Sequence, residues 1–203
     1  MKPTPLASWF KWLYATAGFG VLAAGATSVI PPAFDKLVNQ ADYIVHTTVK
    51  SVTAEWSVDG ANKHIITKVE LDVIEVVTGT PPQPLVLVML GGKIGDQELR
   101  VEGAPQFKVG EEDILFVHGN GQQFTPLVAM DYGRYRVKHD GATGSTYIAR
   151  GSGVPLYGEQ EIVLPMSATS PVKTSQPSAV PLTPQEFKDR IRISHQKNLS
   201  HGP

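Results

Sequence analysis

The side chains that most often act as metal ligands or general bases are scattered in this sequence. The chain has no cysteine, and its six histidines are His46, His64, His118, His139, His195 and His201. None lies at helical or β-hairpin ligand spacing from another histidine or a carboxylate, and His139-Asp140 falls in a predicted turn. His118, at the end of a predicted strand, is typical of a half-exposed packing residue. The sequence therefore predicts no metal site and no cofactor.

Motifs for nucleophilic catalysis and phosphate binding are equally absent from the sequence. No GxSxG occurs, and Ser145 and Ser152 lie in turn-rich sequence without a nearby base. Gly91-Gly92-Lys93 misses the spacing of a phosphate loop. The acidic run Glu111-Glu112-Asp113 lacks the alternating oxygen ligands of a calcium loop, so we interpret it as a solvated turn. No catalytic residue is assigned, and the chain is predicted not to be an enzyme.

Three aromatic residues are the remaining candidates for ligand binding. Trp56, Tyr132 and Tyr135 lie near the ends of predicted strands or in turns. Small β-barrels bind ligands on one face and in the adjoining loops, often by stacking on aromatic rings. The alternative for each of the three, taken singly, is ordinary core packing.

Composition limits the classes of protein that the chain can belong to. The 203 residues are 41% hydrophobic and 18% charged, which is enough for one packed domain. The formal net charge is −1, and Lys and Arg are not clustered. The sequence therefore predicts no nucleic-acid partner.

The N-terminal region reads as an export signal. Lys2 and Lys11 are the only charges before Asp35, and an uncharged run follows Lys11. Ala24-Gly25-Ala26 is a small-x-small pattern, so we predict a signal peptide at residues 1–26 and export to the periplasm or the extracellular space. The alternative is an uncleaved membrane anchor, which would be the only membrane contact.

The following residues, 32–164, predict one β-domain. Phe34, Leu37 and Val38 follow helical spacing after Pro32, and a helix is predicted to about Gln40. Two long strands then flank a turn at residues 59–62, and the alternation of the second slips after residue 72, which indicates a bulge or a bend. Further short strands are separated by Gly-rich turns. We expect a mainly β fold, a small antiparallel OB-like β-barrel.

The last part of the chain changes character. Residues 165–182 are rich in Pro, Ser and Thr and are predicted to be a mobile linker. A C-terminal amphipathic helix is predicted over residues 183–197, with Thr183 as N-cap and Glu186 placed to complete a capping box. Phe187 and Ile191 form its narrow apolar stripe. We favour a helix that docks on the β-domain over a tethered helix that binds a partner.

Three stretches of the sequence, 41–52, 91–117 and 131–137, together resemble a group of exported bacterial proteins. These proteins have a signal peptide, one small OB-like or netrin-like β-barrel and little or no assigned function, and some relatives carry a matrixin-like protease domain. The closing TPQEFKDRIR is similar to the short helix that often ends such domains. The topology is also similar to that of tissue metalloproteinase inhibitors. The chain lacks their N-terminal Cys and also lacks the HExxH motif of zinc proteases, so we infer neither inhibitor nor protease activity.

These observations lead to one functional prediction and two alternatives. We predict an exported, non-enzymatic β-barrel module that recognises a protein or peptide partner in the cell envelope or outside the cell. A carbohydrate-binding or small-ligand-binding barrel is the first alternative, and it requires Trp56, Tyr132 and Tyr135 to converge on one groove. A hydrolase with an unrecognised site is the second, and it requires a cleft that joins histidine and carboxylate side chains.

Overall fold

A computed structural model describes residues 31–60, 62–176 and 178–200. The predicted signal peptide, residues 1–26, lies outside the described residues. The described chain is mainly β, as predicted. The strands are β1 (Tyr43–Asp59), β2 (Asn62–Gly79), β3 (Leu85–Leu90), β4 (Gly92–Ile94), β5 (Gln97–Leu99), β6 (Glu112–Val117), β7 (Arg134–His139) and β8 (Thr146–Arg150). The helices are α1 (Phe34–Gln40), α2 (Pro171–Ser175) and α3 (Pro184–Ser200), with 3₁₀ turns at Met130–Gly133 and Glu159–Glu161.

Six of the strands form one antiparallel sheet in the order β3-β2-β1-β6-β7-β8, and β4 and β5 form a separate hairpin. In the described residues no ladder joins β3 to β8, so the predicted closed barrel is not confirmed. The outer edges of β3 and β8 are instead bonded to loops. The β3 edge bonds to the loop 118–127 through Asn120 and the carbonyl of Phe124, and the main chain of β8 bonds to residues 154–156 and to Leu182.

The two longest strands bend where the alternation of the sequence breaks. The β1–β2 register shifts twice within β2, so that Ile74 and Val77 are each an extra residue. The slip predicted after residue 72 is therefore confirmed as two bulges. A third shift makes Lys50 the extra residue in β1. Beyond Lys50 the β1–β2 ladder is regular to the hairpin turn.

A hydrophobic cluster lies on each face of the sheet. The first lies between the sheet and the helices and contains Phe34, Leu37, Val38, Ile44, Val77, Ile114, Phe116, Val128, Tyr135, Val137, Ile148, Leu156, Ile162, Leu182, Phe187 and Ile191. The second lies on the opposite face and contains Tyr43, Val45, Val49, Val69, Leu71, Leu85, Leu87, Met89, Phe107, Leu115, Val117 and Leu127. Residues 101–111 and 118–127 supply Phe107 and Leu127, so these two loops cover the face that has no helix.

The C-terminal helix packs on the sheet, as the docked alternative predicts. Phe187 and Ile191 are fully buried, and the Ser194 hydroxyl donates to Asp35 of α1 at 2.7 Å. The predicted capping box is confirmed, since the Thr183 main-chain N–H donates to Glu186 at 2.9 Å and the Glu186 N–H donates back to the Thr183 hydroxyl. The helix continues to Ser200, beyond the predicted end at residue 197.

Both ends of the segment 165–182, predicted as a mobile linker, bond to β8. The guanidinium of Arg150 on β8 donates to the carbonyls of Leu164, Pro165 and Ala168. The Leu182 carbonyl accepts from the main-chain N–H of Ile148 at 2.8 Å. Composition could not predict these bonds because it counts apolar side chains, whereas a buried arginine can hold a polar segment through its carbonyl groups.

None of the helices in the described part of the chain combines the length and the apolar character that are needed to cross a bilayer.

Glu75 on β2 connects the sheet to α3. Its carboxylate accepts hydrogen bonds from Lys188 and Arg192. The hydrogen bond from Lys188 holds the pKa of Glu75 below its ordinary value of 4.5, against the opposing effect of burial. A carboxylate with a lowered folded-state pKa stabilises the fold above its unfolded-state pKa, and this contribution is lost as the pH falls through the folded-state value.

We expect Glu75→Gln to lower the free energy of unfolding by about 1–2 kcal/mol near neutral pH, because it removes the charged partner of a buried lysine. The difference between variant and wild type should shrink below pH 4.5, where the wild-type carboxylate is also neutralised. Urea unfolding across this pH range measures it. Glu55→Gln removes an exposed partner of Lys68 and should cost less than about 1 kcal/mol. A Glu75→Gln deficit that stays constant down to strongly acidic pH would contradict the expectation.

Candidate functional site

An open cavity of about 320 Å³ lies beside β1 on the face that has no helix. Its apolar side is formed by Val52 and Ala54 of β1, Val69 of β2 and Met89 of β3, with the hydroxyl-bearing Thr67 among them. The register places these side chains on one face, because Val52 pairs with Val69 and Ala54 pairs with Thr67. We call this cavity, with the β1 residues 52–58 beside it, the β1 groove.

The opposite side of the β1 groove is polar at its rim. The β4–β5 hairpin and the residue after it supply Lys93, Glu98 and Arg100, all of them exposed, and the loop supplies Gln106 and Phe107. Arg100 lies 3.9 Å from Glu98, an exposed pair that contributes little to stability. The groove therefore combines an apolar floor with a rim that carries two cations and one carboxylate.

Two glycines bring the β4–β5 hairpin close to β1 and β2. Gly91 and Gly92 have φ values of +100° and +140°, which side chains other than that of glycine rarely adopt. The Gly91 carbonyl accepts from the Thr67 hydroxyl at 2.6 Å, and the Gly91 N–H donates to the Ile65 carbonyl at 2.8 Å. A Cβ atom added at Gly92 would lie 2.5 Å from Thr67 Oγ1 and 3.1 Å from Ala54 Cβ. The close approach forms the wall of the groove.

Gly92→Ala should therefore destabilise the protein more than Gly95→Ala, which also changes a glycine of positive φ but has no atom within 4 Å of the added Cβ. Because of this overpacking, we expect the free energy of unfolding of Gly92→Ala to be about 1–3 kcal/mol lower than that of Gly95→Ala. Thermal unfolding of the two variants, prepared side by side, measures it. Equal stabilities would mean that the hairpin does not pack tightly on β1 and β2.

A buried charge network fixes Phe107 on the side of the groove opposite β1. Arg134 of β7 is 3% exposed, and its guanidinium lies 4.2 Å from the centre of the Phe107 ring. Arg134 donates to both carboxylate oxygens of Asp113, at 3.1 and 2.8 Å, to Glu111 at 2.8 Å and to the Gln106 carbonyl at 2.6 Å. One side chain thus joins β6, β7 and the loop that carries Phe107.

The protonation equilibria of this network follow from burial and pairing. Burial raises the pKa of Asp113 above its ordinary value, although Arg134 opposes the shift. Burial also disfavours the charged form of Arg134, but Asp113 and Glu111 outweigh it and raise the Arg134 pKa. Glu111 is partly desolvated, yet the hydrogen bond from Arg134 keeps its pKa below the usual range. The network is arranged to hold Arg134 charged.

The three predicted ligand-binding aromatics do not converge. Trp56 is 38% exposed and lies two residues beyond Ala54 on the same face of β1, next to the β1 groove, with Lys63 Nζ 4.3 Å from its ring centre. Tyr132 lies in the 3₁₀ turn before β7. Tyr135 is 2% exposed, with its ring centre 4.6 Å from that of Phe187. Tyr135 is thus a core residue, because alternation along β7 points it towards the helices.

Histidines meet carboxylates that lie far away in the sequence. His46 Nε2 lies 2.7 Å from Glu112 Oε1 across β1 and β6, and His118 Nδ1 lies 3.0 Å from Asp42 Oδ1. The Gly119 N–H also donates to Asp42 and is the main cause that lowers its pKa. Sequence spacing missed both pairs because strand register, not local spacing, brings them together. Within the described ranges, no group of three or more histidine and acidic side chains is placed to hold a metal ion.

Comparison with known proteins gives no match: neither a protein-family model nor a curated protein sequence matches the chain.

Proposed function

We propose that the chain is an exported, non-enzymatic β-module that recognises a protein or peptide partner in the cell envelope or outside the cell. The observation that carries the proposal is the β1 groove, in which an apolar floor, an exposed Trp56 and a charged rim lie together. Exposed apolar surface rimmed by polar groups is typical of interaction sites. The signal-like residues 1–26 and the resemblance to exported β-barrel proteins support the location.

We also propose that the sheet is a barrel-like scaffold of the OB type. The loop 118–127 supports this, since the Leu90 N–H donates to the Phe124 carbonyl and Asn120 bonds to both Val86 and Val88 along the β3 edge. Such a scaffold holds a binding face rigid while the adjoining loops vary.

Photo-crosslinking in cells tests partner recognition. A benzophenone-bearing residue replaces Val58 or Arg100 beside the groove in the full chain, and replaces Ile193 on the exposed side of α3 as the control. We expect one defined protein adduct from the groove positions and none from Ile193. The absence of adducts, or the same adducts from all three positions, would overturn the proposal.

The proposed export of the protein is tested separately. N-terminal sequencing of the protein recovered from the envelope or the medium should begin at Thr27. Recovery from the cytosol alone, with the first residues intact, would contradict export.

A small ligand such as a carbohydrate is the second candidate, and the open cavity next to Trp56 favours it, with Trp56 alone of the three predicted aromatics at that place. Sugars stack on exposed indole rings, and pockets of this size hold small molecules. Titration with an oligosaccharide panel while the Trp56 indole N–H is followed by NMR tests this candidate. A shift that saturates supports a sugar ligand, and an unchanged signal removes this candidate.

A further inference from the structure

We propose that the β1 groove binds its partner by strand addition. An extended peptide pairs with the free edge of β1 at Val52, Ala54 and Trp56, and one of its apolar side chains enters the cavity. This inference rests on the proposed function, because it names the mode in which the partner is held.

The edge of β1 is occupied only in its first part. β1 pairs with β6 from Tyr43 to Thr48, and Val49 then exchanges main-chain hydrogen bonds with Gly110 and Glu111, at 2.9 and 2.8 Å. After Val49 the loop leaves β1, whereas β1 continues to Asp59. In the described part of the chain, the main-chain groups of residues 51–58 have backbone partners only in β2.

Strand alternation identifies which residues face this free edge. The Ile65 carbonyl of β2 accepts from the Gly91 N–H, so the main-chain groups of Ile65 point away from β1. Ile65 lies opposite Trp56, so the two form a non-hydrogen-bonded pair of the antiparallel ladder. In such a pair both residues direct their main-chain N–H and C=O groups away from each other. Trp56, and by alternation Ala54 and Val52, therefore present their N–H and C=O groups to the free edge. Thr53 and Glu55 bond to β2 instead.

The side chains of the same residues favour an apolar ligand. Val52 and Ala54 line the cavity, and Val52, Trp56 and Val58 are 37%, 38% and 70% exposed. A strand added at this edge would place alternate side chains over the same face, where the cavity lies. Lys93 and Arg100 outnumber Glu98 at the rim, so the peptide that fits carries apolar residues two apart and an acidic residue beside them.

A second free stretch of edge, on β2, does not suit this mode. Among the described residues β2 has no partner strand on its outer side from residue 72 to residue 79, but Ile74 and Val77 are bulged there. Bulges interrupt the regular row of donors and acceptors that strand addition needs, and proteins use them to protect edges. β1 from Ser51 to Asp59 is regular.

The test uses the full chain and a phage-displayed library of random linear nonapeptides. Selected peptides are synthesised, and amide hydrogen exchange of the chain is followed by NMR with and without each peptide. In the free protein we expect fast exchange at Val52, Ala54 and Trp56 and slow exchange at Thr53 and Glu55. Bound peptide should slow exchange at the first three residues at least about tenfold.

Two matched comparisons sharpen the test. N-methylation of alternate peptide residues should weaken binding at least about tenfold for one set of positions and little for the other. Ala54→Leu, which fills the cavity, should weaken binding similarly, whereas Thr53→Leu on the opposite face should not.

Selected peptides that bind without protecting Val52, Ala54 and Trp56, or a library that yields no binder, would overturn strand addition. Groove-specific crosslinks in cells combined with either result would leave partner recognition standing. The absence of groove crosslinks would overturn the proposed function itself.

Discussion

Replacing Arg134 with methionine should lower the free energy of unfolding by about 3–5 kcal/mol, one of the two largest effects that we expect from a single substitution in this chain. Methionine keeps most of the length and the apolar stem of the side chain, so the cavity left behind is small. The loss comes from Asp113, which is fully buried and would keep its charge without a partner, or take up a proton at a cost. Gln106 would also lose the donor to its carbonyl.

Urea unfolding of Arg134→Met is the measurement, with Arg100→Met as the matched control. The Arg100 side chain is 79% exposed and forms only a distant ion pair, so its replacement should change stability by less than about 1 kcal/mol. The double variant Arg134→Met/Asp113→Leu removes both buried charges and should be more stable than Arg134→Met alone. A double variant whose loss equals the sum of the two single losses would show that the two charges do not stabilise each other.

The Arg134 network also links stability to the β1 groove. Phe107 lines the cavity and contacts the guanidinium of Arg134, and the loop that carries it is held by Arg134 through Gln106. A charged side chain that is fixed by four acceptor oxygens orders a loop at less entropic cost than a flexible contact would. The same network therefore supports the fold and preorganises the side of the groove that the Phe107 loop forms.

Local patterns in the sequence predicted the parts of the fold that local physics decides. The break in alternation after residue 72 corresponds to the bulges at Ile74 and Val77. Thr183 and Glu186 form the capping box that their spacing predicts. In both cases the deciding interactions lie within a few residues of one another or along one strand.

Contacts between distant segments could not be predicted in this way. Arg134 lies 21 residues from Asp113, and His46 lies 66 residues from Glu112. No spacing rule connects such residues, because the register between strands sets the contact. For the same reason the sequence could not predict the β1 groove, because its lining residues come from the five strands β1 to β5 and from the loop 101–111. The apolar residues Val52 and Ala54 and the glycine pair at 91–92 were the only local signs of it.

Phe187→Ala should also lower the free energy of unfolding by about 3–5 kcal/mol, because it removes a fully buried ring from the centre of the helix-covered core. The ring centre of Phe187 lies 4.6 Å from that of Tyr135, 5.9 Å from that of Phe34 and 6.2 Å from that of Phe116. It thus connects α3 to α1, β6 and β7, and no neighbour can fill the space without leaving its own contacts.

Ile193→Ala is the control for Phe187→Ala, since Ile193 lies on the same helix but is 65% exposed and should cost less than about 1 kcal/mol. Thermal unfolding followed by circular dichroism measures both, and amide exchange within α3 shows whether the helix opens by itself. If Phe187→Ala accelerated exchange only in α3 and left the sheet at wild-type stability, the helix would be a separable attachment. A joint loss in helix and sheet is the expected result, because the ring centre of Phe187 lies closer to that of Tyr135 on β7 than to that of Phe34 on α1.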